Sequence, residues 1–456
     1  MLRFSAILFT LLLLAASPKK TNETEKFPPI ESEFPLIWKA KIGRASFRTN
    51  VVFNNNEIIV GSNGRNFLDY HMFDDESGVY RINRSTGVIN KRIANEPLGD
   101  MDVNGVLLFD KQLYFGNDNE EFLCTNMDGE IIFRNPTSGD IEHEPVLINN
   151  RGSATIVYAS EAGEVRAISP QTGNTIWTYY APEFNGWRVG DNRLFFKIKA
   201  HFSNTNTFFT KPLVYDVNRD GVMDLLYLTF DNKLYAINGA NGSLLWLFKS
   251  ESKMNYMCTM VGNGNSKSIQ MISSGEDTAG QYSSNLLSID LKGNIVKSKK
   301  LNCNYSYYSD NGLNTISLTG SSVIMNTRNS LLISDGKDSL HSIDRTITYM
   351  RKDYFTNNMI TDIRNSRDVL LGDKVFPYGD SKQTVIVLNQ RDVTEEDTGF
   401  IEIVSLDQGK VLKRLQIEGR SEMPPVIRDV NMDGYLDVLI SCSDGFLYCY
   451  NLKIKA

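Results

Sequence analysis

The sequence predicts an all-β protein: an eight-bladed β-propeller, with seven blades as the alternative, closed by an N-terminal strand. Three observations predict it. A hairpin unit recurs whose turn glycines lie 42, 44, 69 and 51 residues apart, and then 116 across two units. A four-stranded blade occupies about 40–50 residues. Apolar and polar residues alternate within the units, and no stretch sustains a 3.6-residue period, so little helix is expected. Finally, the last copy of the unit lacks its return strand, while a strand without a partner stands near the N-terminus.

The chain begins Met-Leu-Arg3, followed by thirteen mostly apolar residues, Phe4 to Ala16, and then Ser17-Pro-Lys-Lys. A charged start, a short apolar run and small residues read as a signal peptide over residues 1–18. Residues 19–34 are polar and contain prolines, and read as a linker. Residues 35–456 form one propeller domain. Its first segment, Pro35-Leu-Ile-Trp38, resembles the return strand of a hairpin without the hairpin.

The hairpin units follow in order: Gly78 to Ile89 with turn glycine Gly87, Glu121 to Phe133 with Gly129, and Glu164 to Trp177 with Gly173. Next come Lys233 to Trp246 with Gly242, and Asn285 to Val296 with Gly293. Ser339 to Thr346 is read as a copy that lacks the glycine, and Ile401 to Leu412 carries Gly409. The last copy, Gly445 to Asn451, stops before its return, which the Trp38 strand would supply. Such a join leaves no long open edge for another chain to pair with. The 69-residue interval contains an insertion at about 182–206, rich in aromatic and basic residues. It reads as a self-packed loop, or as a cover on one propeller face that meets a partner.

Two stretches stand apart. Asp216-Val-Asn218-Arg-Asp220-Gly221-Val222-Met-Asp224 recurs as Asp429-Val-Asn431-Met-Asp433-Gly434-Tyr435-Leu-Asp437. Alternating Asp and Asn oxygens on a tight glycine turn suit calcium, which takes six to eight hard oxygen ligands. The start matches the EF-hand pattern, but the bidentate glutamate of position 12 is replaced by Tyr227, and a strand follows where a helix should. Asp224 and Asp437 are therefore expected to close the sites. The expected ligands are the side chains of Asp216, Asn218, Asp220 and Asp224 with the Val222 carbonyl. The second set is Asp429, Asn431, Asp433 and Asp437 with the Tyr435 carbonyl. The expected cofactor is Ca2+ at two structural sites. Without metal, the loops would be plain polar turns.

A net charge of −6 without a sustained basic run argues against nucleic acid as a partner. Five cysteines, an odd number at low density, do not make a disulfide scaffold. Cys442 and Cys449 flank one turn and are open to either a bridge or two free thiols. The sequons at Asn22, Asn83, Asn241 and Asn304 are acceptors only in a eukaryotic secretory route. His71, His143, His201 and His341 show neither metal-ligand spacing nor a Gly-x-Ser-x-Gly context, and no catalytic residue is expected.

The hairpin pattern Leu-Tyr-Ala-Ile-Asn-x-x-x-Gly-x-x-x-Trp resembles the repeat of PQQ-type eight-bladed quinoprotein propellers, over nearly the whole chain from residue 35. The two Asp-x-Asn-x-Asp-Gly-x-x-Asp loops resemble the calcium-binding FG-GAP repeats of integrin-α-like propellers. Asn149 to Gly152 and Gly262 to Asn265 look like eroded copies without the acids. The FG-GAP resemblance implies a secreted or lumenal, non-enzymatic, calcium-stabilised scaffold that binds a protein or glycan partner, in adhesion for example. A soluble lumenal or periplasmic assembly factor is the alternative. A PQQ-dependent alcohol dehydrogenase ranks third. Active relatives grip the quinone with adjacent cysteines and a tryptophan plane. This chain has no adjacent cysteines, and three of its four tryptophans, Trp38, Trp177 and Trp246, hold repeat positions.

Overall fold

The computed structural model describes residues 34–456, with breaks at 47, 65–75, 95–100, 185–207, 209, 230–231, 255–257, 263–266, 277–281, 302–314, 319–321, 327–329, 335–339, 345–349, 353–358, 362–368, 394–395, 409, 420 and 422. Between residues 301 and 371 only the strand backbones are described. The signal-peptide and linker expectations, the insertion from residue 185 onward, Trp187, Cys303 and the sequons Asn22 and Asn304 fall outside the described residues.

The described residues contain strands and turns and no helix. They form eight antiparallel sheets of four or five strands and one two-stranded ribbon. Sheet 1 runs Val51–Asn54, Glu57–Ser62, Gly78–Asn83, Ile89–Ile93. Sheet 2 runs Val106–Phe109, Gln112–Asn117, Glu121–Asn126, Ile131–Pro136. Sheet 3 runs Val146–Asn150, Ser153–Ser160, Glu164–Ile168, Thr175–Tyr180, and sheet 4 runs Leu213–Tyr215, Asp224–Leu228, Lys233–Ile237, Leu244–Lys249. In sheet 5, Lys253–Met254 and Thr259–Val261 both pair with Ser268–Glu276, followed by Tyr282–Ile289 and Ile295–Leu301. Sheet 6 runs Thr315–Leu318, Ser322–Asn326, Ser330–Ser334, Leu340–Asp344. After the ribbon Met350–Lys352 and Met359–Thr361, sheet 7 runs Val369–Tyr378, Ser381–Val393, Glu396–Ser405, Lys410–Ile417. Sheet 8 joins Val426–Arg428, Tyr435–Ser441 and Phe446–Lys455 to Leu36–Lys41, with Trp38 opposite Cys449.

The middle strands read as continuous apolar runs because both of their faces are covered. Glu57–Ser62, Gln112–Asn117 and Asp224–Leu228 are buried almost throughout. Outer strands are covered on one face and show exposed residues such as Ile176 and Leu247 on the other. Neighbouring sheets pack face to face. Val157, Val165 and Trp177 of sheet 3 share a core with Leu225, Tyr227 and Tyr235 of sheet 4. Trp38, Leu439 and Leu447 of sheet 8 share one with Ile58, Val60 and Tyr80 of sheet 1. Ile401 and Leu415 of sheet 7 meet Val438 and Ile440 of sheet 8.

The turn glycines have a physical reason. Gly87, Gly129, Gly173, Gly242 and Gly293 each lie under an outer-strand side chain of the preceding sheet. A Cβ on Gly87 would stand 2.8 Å from Trp38, on Gly242 2.5 Å from Trp177, and on Gly293 2.8 Å from Trp246. The indole N–H then reaches the same turn, Trp38 donating to the Arg84 carbonyl at 2.9 Å and Trp246 to Leu291 at 2.9 Å. All three glycines also have positive φ, 72°, 74° and 86°, where a Cβ is strained. Gly242→Ala combines both penalties and is expected to cost about 2 kcal/mol or more. A urea titration within about 0.5 kcal/mol of the parent would contradict this packing account.

One unit is displaced from its expected place. Leu340–Asp344, expected to be an outgoing strand that had lost its glycine, is the last strand of sheet 6. The strand before it in the sheet is Ser330–Ser334. The 116-residue interval also contains the two-stranded ribbon.

Candidate functional site

The two acidic loops occupy one topological position, the turn between the first and second strands of sheets 4 and 8. Their backbones match. Arg219 and Met432 both have φ of 63°, and Gly221 and Gly434 have 85° and 87°. Their hydrogen bonds match as well. Asp216 accepts from the amides of Asp220 at 3.1 Å and Gly221 at 3.0 Å. Asp429 accepts from Asp433 and Gly434, each at 3.0 Å. Asn218 and Asn431 each accept from the amide two residues on. Asp220 accepts from Val222 at 2.8 Å, and Asp433 from Tyr435 at 2.9 Å. The eroded copy at Asn149 keeps a fragment of this pattern, with the Gly152 amide donating to Asn149 at 2.7 Å.

Asp224 and Asp437 sit inside the loops, fully buried. One oxygen of each takes two amides: Val217 and Asn218 for Asp224, Val430 and Asn431 for Asp437. The second oxygens differ. Asp224 Oδ1 accepts from the Gly239 amide at 3.1 Å, whereas Asp437 Oδ1 is buried with no hydrogen-bond partner. Burial raises both carboxyls above the usual range, with backbone amides opposing it, and Asp437 is pushed up to about 6. The Val222 amide, foremost among the opposing influences, holds Asp220 low.

The residues fit a hard divalent cation in kind. Each loop offers three carboxylates and an amide oxygen within nine residues. A carboxylate has about four lone-pair sites, so one amide on each oxygen leaves acceptor capacity. Asp437 Oδ1 is a desolvated oxygen that a cation would satisfy. In the loops as they stand, the side chains are turned to their own backbone amides. Among the described residues no three His, Cys, Asp or Glu side chains are gathered as a metal cluster.

A second polar site was not anticipated. Glu120, Glu142 and Glu161 come from three different turns and are all nearly buried. Arg48 contacts Glu142 at 2.6 Å, and Asn104 donates to the same carboxylate at 2.6 Å. Burial first, and then the Glu142 carboxylate, push Glu161 up to about 8 against the pull of Arg48. Nearby, the strands that begin sheets 1 to 4 line a cavity of about 520 Å³, bordered by Leu107, Leu147 and the Lys211–Glu144 ion pair.

Cys442 and Cys449 are both free thiols. They lie on opposite faces of sheet 8, Cys442 in the core shared with sheet 7 and Cys449 in the core shared with sheet 1. His143 is buried and its Nδ1 meets the Glu144 carbonyl at 2.9 Å. The sequon residues Asn83 and Asn241 use their side-chain oxygens to accept amides of their own turns.

Residues 75–246 match the family described as outer membrane protein assembly factor BamB. No curated protein matches the chain. Among solved structures, BamB from Moraxella catarrhalis is similar at 11% identity and a TM-score of 0.54, over 92% of this chain and 98% of that one. Sqt1 from Saccharomyces cerevisiae gives 9% identity and a TM-score of 0.57, over 91% and 98%. A quinohemoprotein alcohol dehydrogenase from Pseudomonas putida HK5 gives 11% identity and a TM-score of 0.50, over 92% and 76%. At these identities the likeness is one of fold. The family match supports the quinoprotein-type hairpin repeat over residues 75–246 and does not extend to the FG-GAP repeat.

Proposed function

We propose that this chain is a non-enzymatic protein-binding scaffold: an eight-bladed propeller, closed by its N-terminal strand and stabilised by two calcium ions. The observation that carries the binding role is the match of residues 75–246 to an outer membrane protein assembly factor. It favours the assembly-factor reading, with a protein partner, over adhesion to a glycan. The compartment proposed for this work is periplasmic, lumenal or extracellular. Among the described residues no helix is long and apolar enough to cross a membrane. Closure rests on the pairing of Leu36–Lys41 with Phe446–Lys455 and on the core shared by sheets 8 and 1.

The metal role is structural. Asp216, Asn218, Asp220, Asp224 and the Val222 carbonyl would hold one ion. Asp429, Asn431, Asp433, Asp437 and the Tyr435 carbonyl would hold the other. Extracellular calcium modules bind at about 10⁻⁴–10⁻³ M. At about millimolar free calcium, a site at the tight end adds on the order of 1.4 kcal/mol to stability. Two such sites should raise the melting temperature detectably, and chelator should reverse the rise. An unchanged melting temperature between chelator and several millimolar calcium would count against it.

The test of the binding role is affinity recovery from the native compartment, with and without chelator. The same partner should be recovered repeatedly, and in lower yield with chelator. The similarity to an alcohol dehydrogenase makes the quinoprotein reading the one to set beside it. Soaking the protein with PQQ and calcium should give no dye reduction with alcohols. Sustained reduction would replace the scaffold reading by an enzymatic one.

A further inference from the structure

The Asp429 loop is tied across a sheet boundary, from sheet 8, within which the two ends of the described chain pair, to sheet 1. Arg84 of sheet 1 reaches into the Asp429 loop of sheet 8. Its Nη2 donates to the Asp429 carbonyl at 2.6 Å, its Nε to the Val430 carbonyl, and its Nη1 to Asn55 of its own sheet at 3.0 Å. The Ser85 hydroxyl donates to the Asn431 carbonyl at 3.2 Å. The Arg84 carbonyl in turn receives the Trp38 indole N–H. Val430, fully buried, lies in the core that joins the two sheets. Loop, seam and N-terminal strand thus share one set of contacts.

In the Asp216 loop Val217 likewise lies in a core shared with the following sheet, but the arginine is not repeated there. Asn238 and Gly239 of its own sheet donate to its carboxylates. In the following sheet, the residue whose carbonyl receives the Trp246 indole is Leu291, an aliphatic side chain that can donate nothing. The Asp429 loop is also the one whose buried carboxylate oxygen, Asp437 Oδ1, has no partner.

We propose that the Asp429 loop is a cation-operated latch on the seam between sheets 8 and 1, with Arg84 as the positioning residue that couples them. This rests on the calcium reading given above. An ion that draws the loop's oxygens together fixes the backbone from Asp429 to Asn431, and these are the carbonyls that Arg84 and Ser85 hold. Fixing them holds the Arg84 turn, and through its carbonyl the Trp38 strand. Linkage makes the coupling reciprocal, so a closed seam also favours the ion. The Asp216 loop meets no arginine at the corresponding position, Leu291, so its ion leaves the seam between sheets 8 and 1 unchanged.

Hydrogen exchange read by mass spectrometry tests this on the full-length protein, in chelator and in millimolar calcium. Calcium uptake is followed in parallel by calorimetry. In the parent, calcium should slow exchange about tenfold in Leu36–Lys41 and Gly78–Asn83, as expected for free ligand at about ten times the dissociation constant. Asp220→Ala should keep this protection, and Asp433→Ala should lose it. Arg84→Ala should still take up the ion at the loop but no longer pass protection to the seam. If Arg84→Ala does not fold, the contrast between Asp220→Ala and Asp433→Ala decides. Two ions bound with no change at the seam would overturn the latch and leave the metal reading intact. Protection lost in Asp220→Ala would also overturn it. No uptake in the calorimeter would instead remove the metal reading, and the latch with it.

Discussion

A chain that begins at residue 43 is expected to lose cooperative unfolding and to aggregate, whereas one that begins at residue 34 behaves as the full protein. The strand Leu36–Lys41 covers the edge of Phe446–Lys455, and its loss exposes a ten-residue strand with unpaired backbone groups. Such an edge invites pairing with other chains. The deletion also removes Phe34, Trp38, Ala40 and Ile42 from two cores. Truncating a single buried Trp or Phe costs about 3–5 kcal/mol. The sum is comparable with the whole net stability of a domain, about 5–15 kcal/mol. Size-exclusion chromatography and thermal melting read the outcome. A monomeric protein with an unchanged melting profile would show that the Trp38 strand does not close the fold.

Glu161→Gln is expected to stabilise the protein increasingly as pH rises. Burial, reinforced by Glu142 and Glu120 and opposed by Arg48, raises the folded carboxyl from 4.5 to about 8. An acid raised in this way remains protonated in the folded state where the unfolded chain is already ionised. Its contribution is therefore intact below pH 4.5 and is lost as pH climbs toward 8. The total is on the order of 5 kcal/mol. Glutamine keeps the neutral form at every pH. Urea titrations from pH 5 to 8 should show the variant and parent diverging. Parallel curves would mean that Glu161 is ionised in the fold.

These effects differ in how far the chain announces them. The hairpin units were legible because the glycine under each indole is required twice, by its positive φ and by the approaching ring. That requirement leaves Gly and Trp at fixed offsets. The acidic loops were legible because they are local: nine consecutive residues set their own backbone and hydrogen bonds. The fold of sheet 6 was read one strand out of place because Leu340–Asp344 resembles an outgoing strand in composition. Glu120, Glu142 and Glu161 were not legible at all. They are 22 and 19 residues apart, each on a polar turn that reads as solvated surface. Only the stacking of sheets 2 and 3 brings them together. The state of Cys442 and Cys449 likewise follows from which face of sheet 8 each one occupies, which seven residues of spacing do not reveal.

Calcium uptake by the chelated protein, followed by titration calorimetry to several millimolar, tests the central claim most directly. The account predicts two bound ions in the parent protein, and one each in Asp220→Ala and Asp433→Ala. A parent protein that takes up no calcium over this range would contradict it and leave both loops as polar turns.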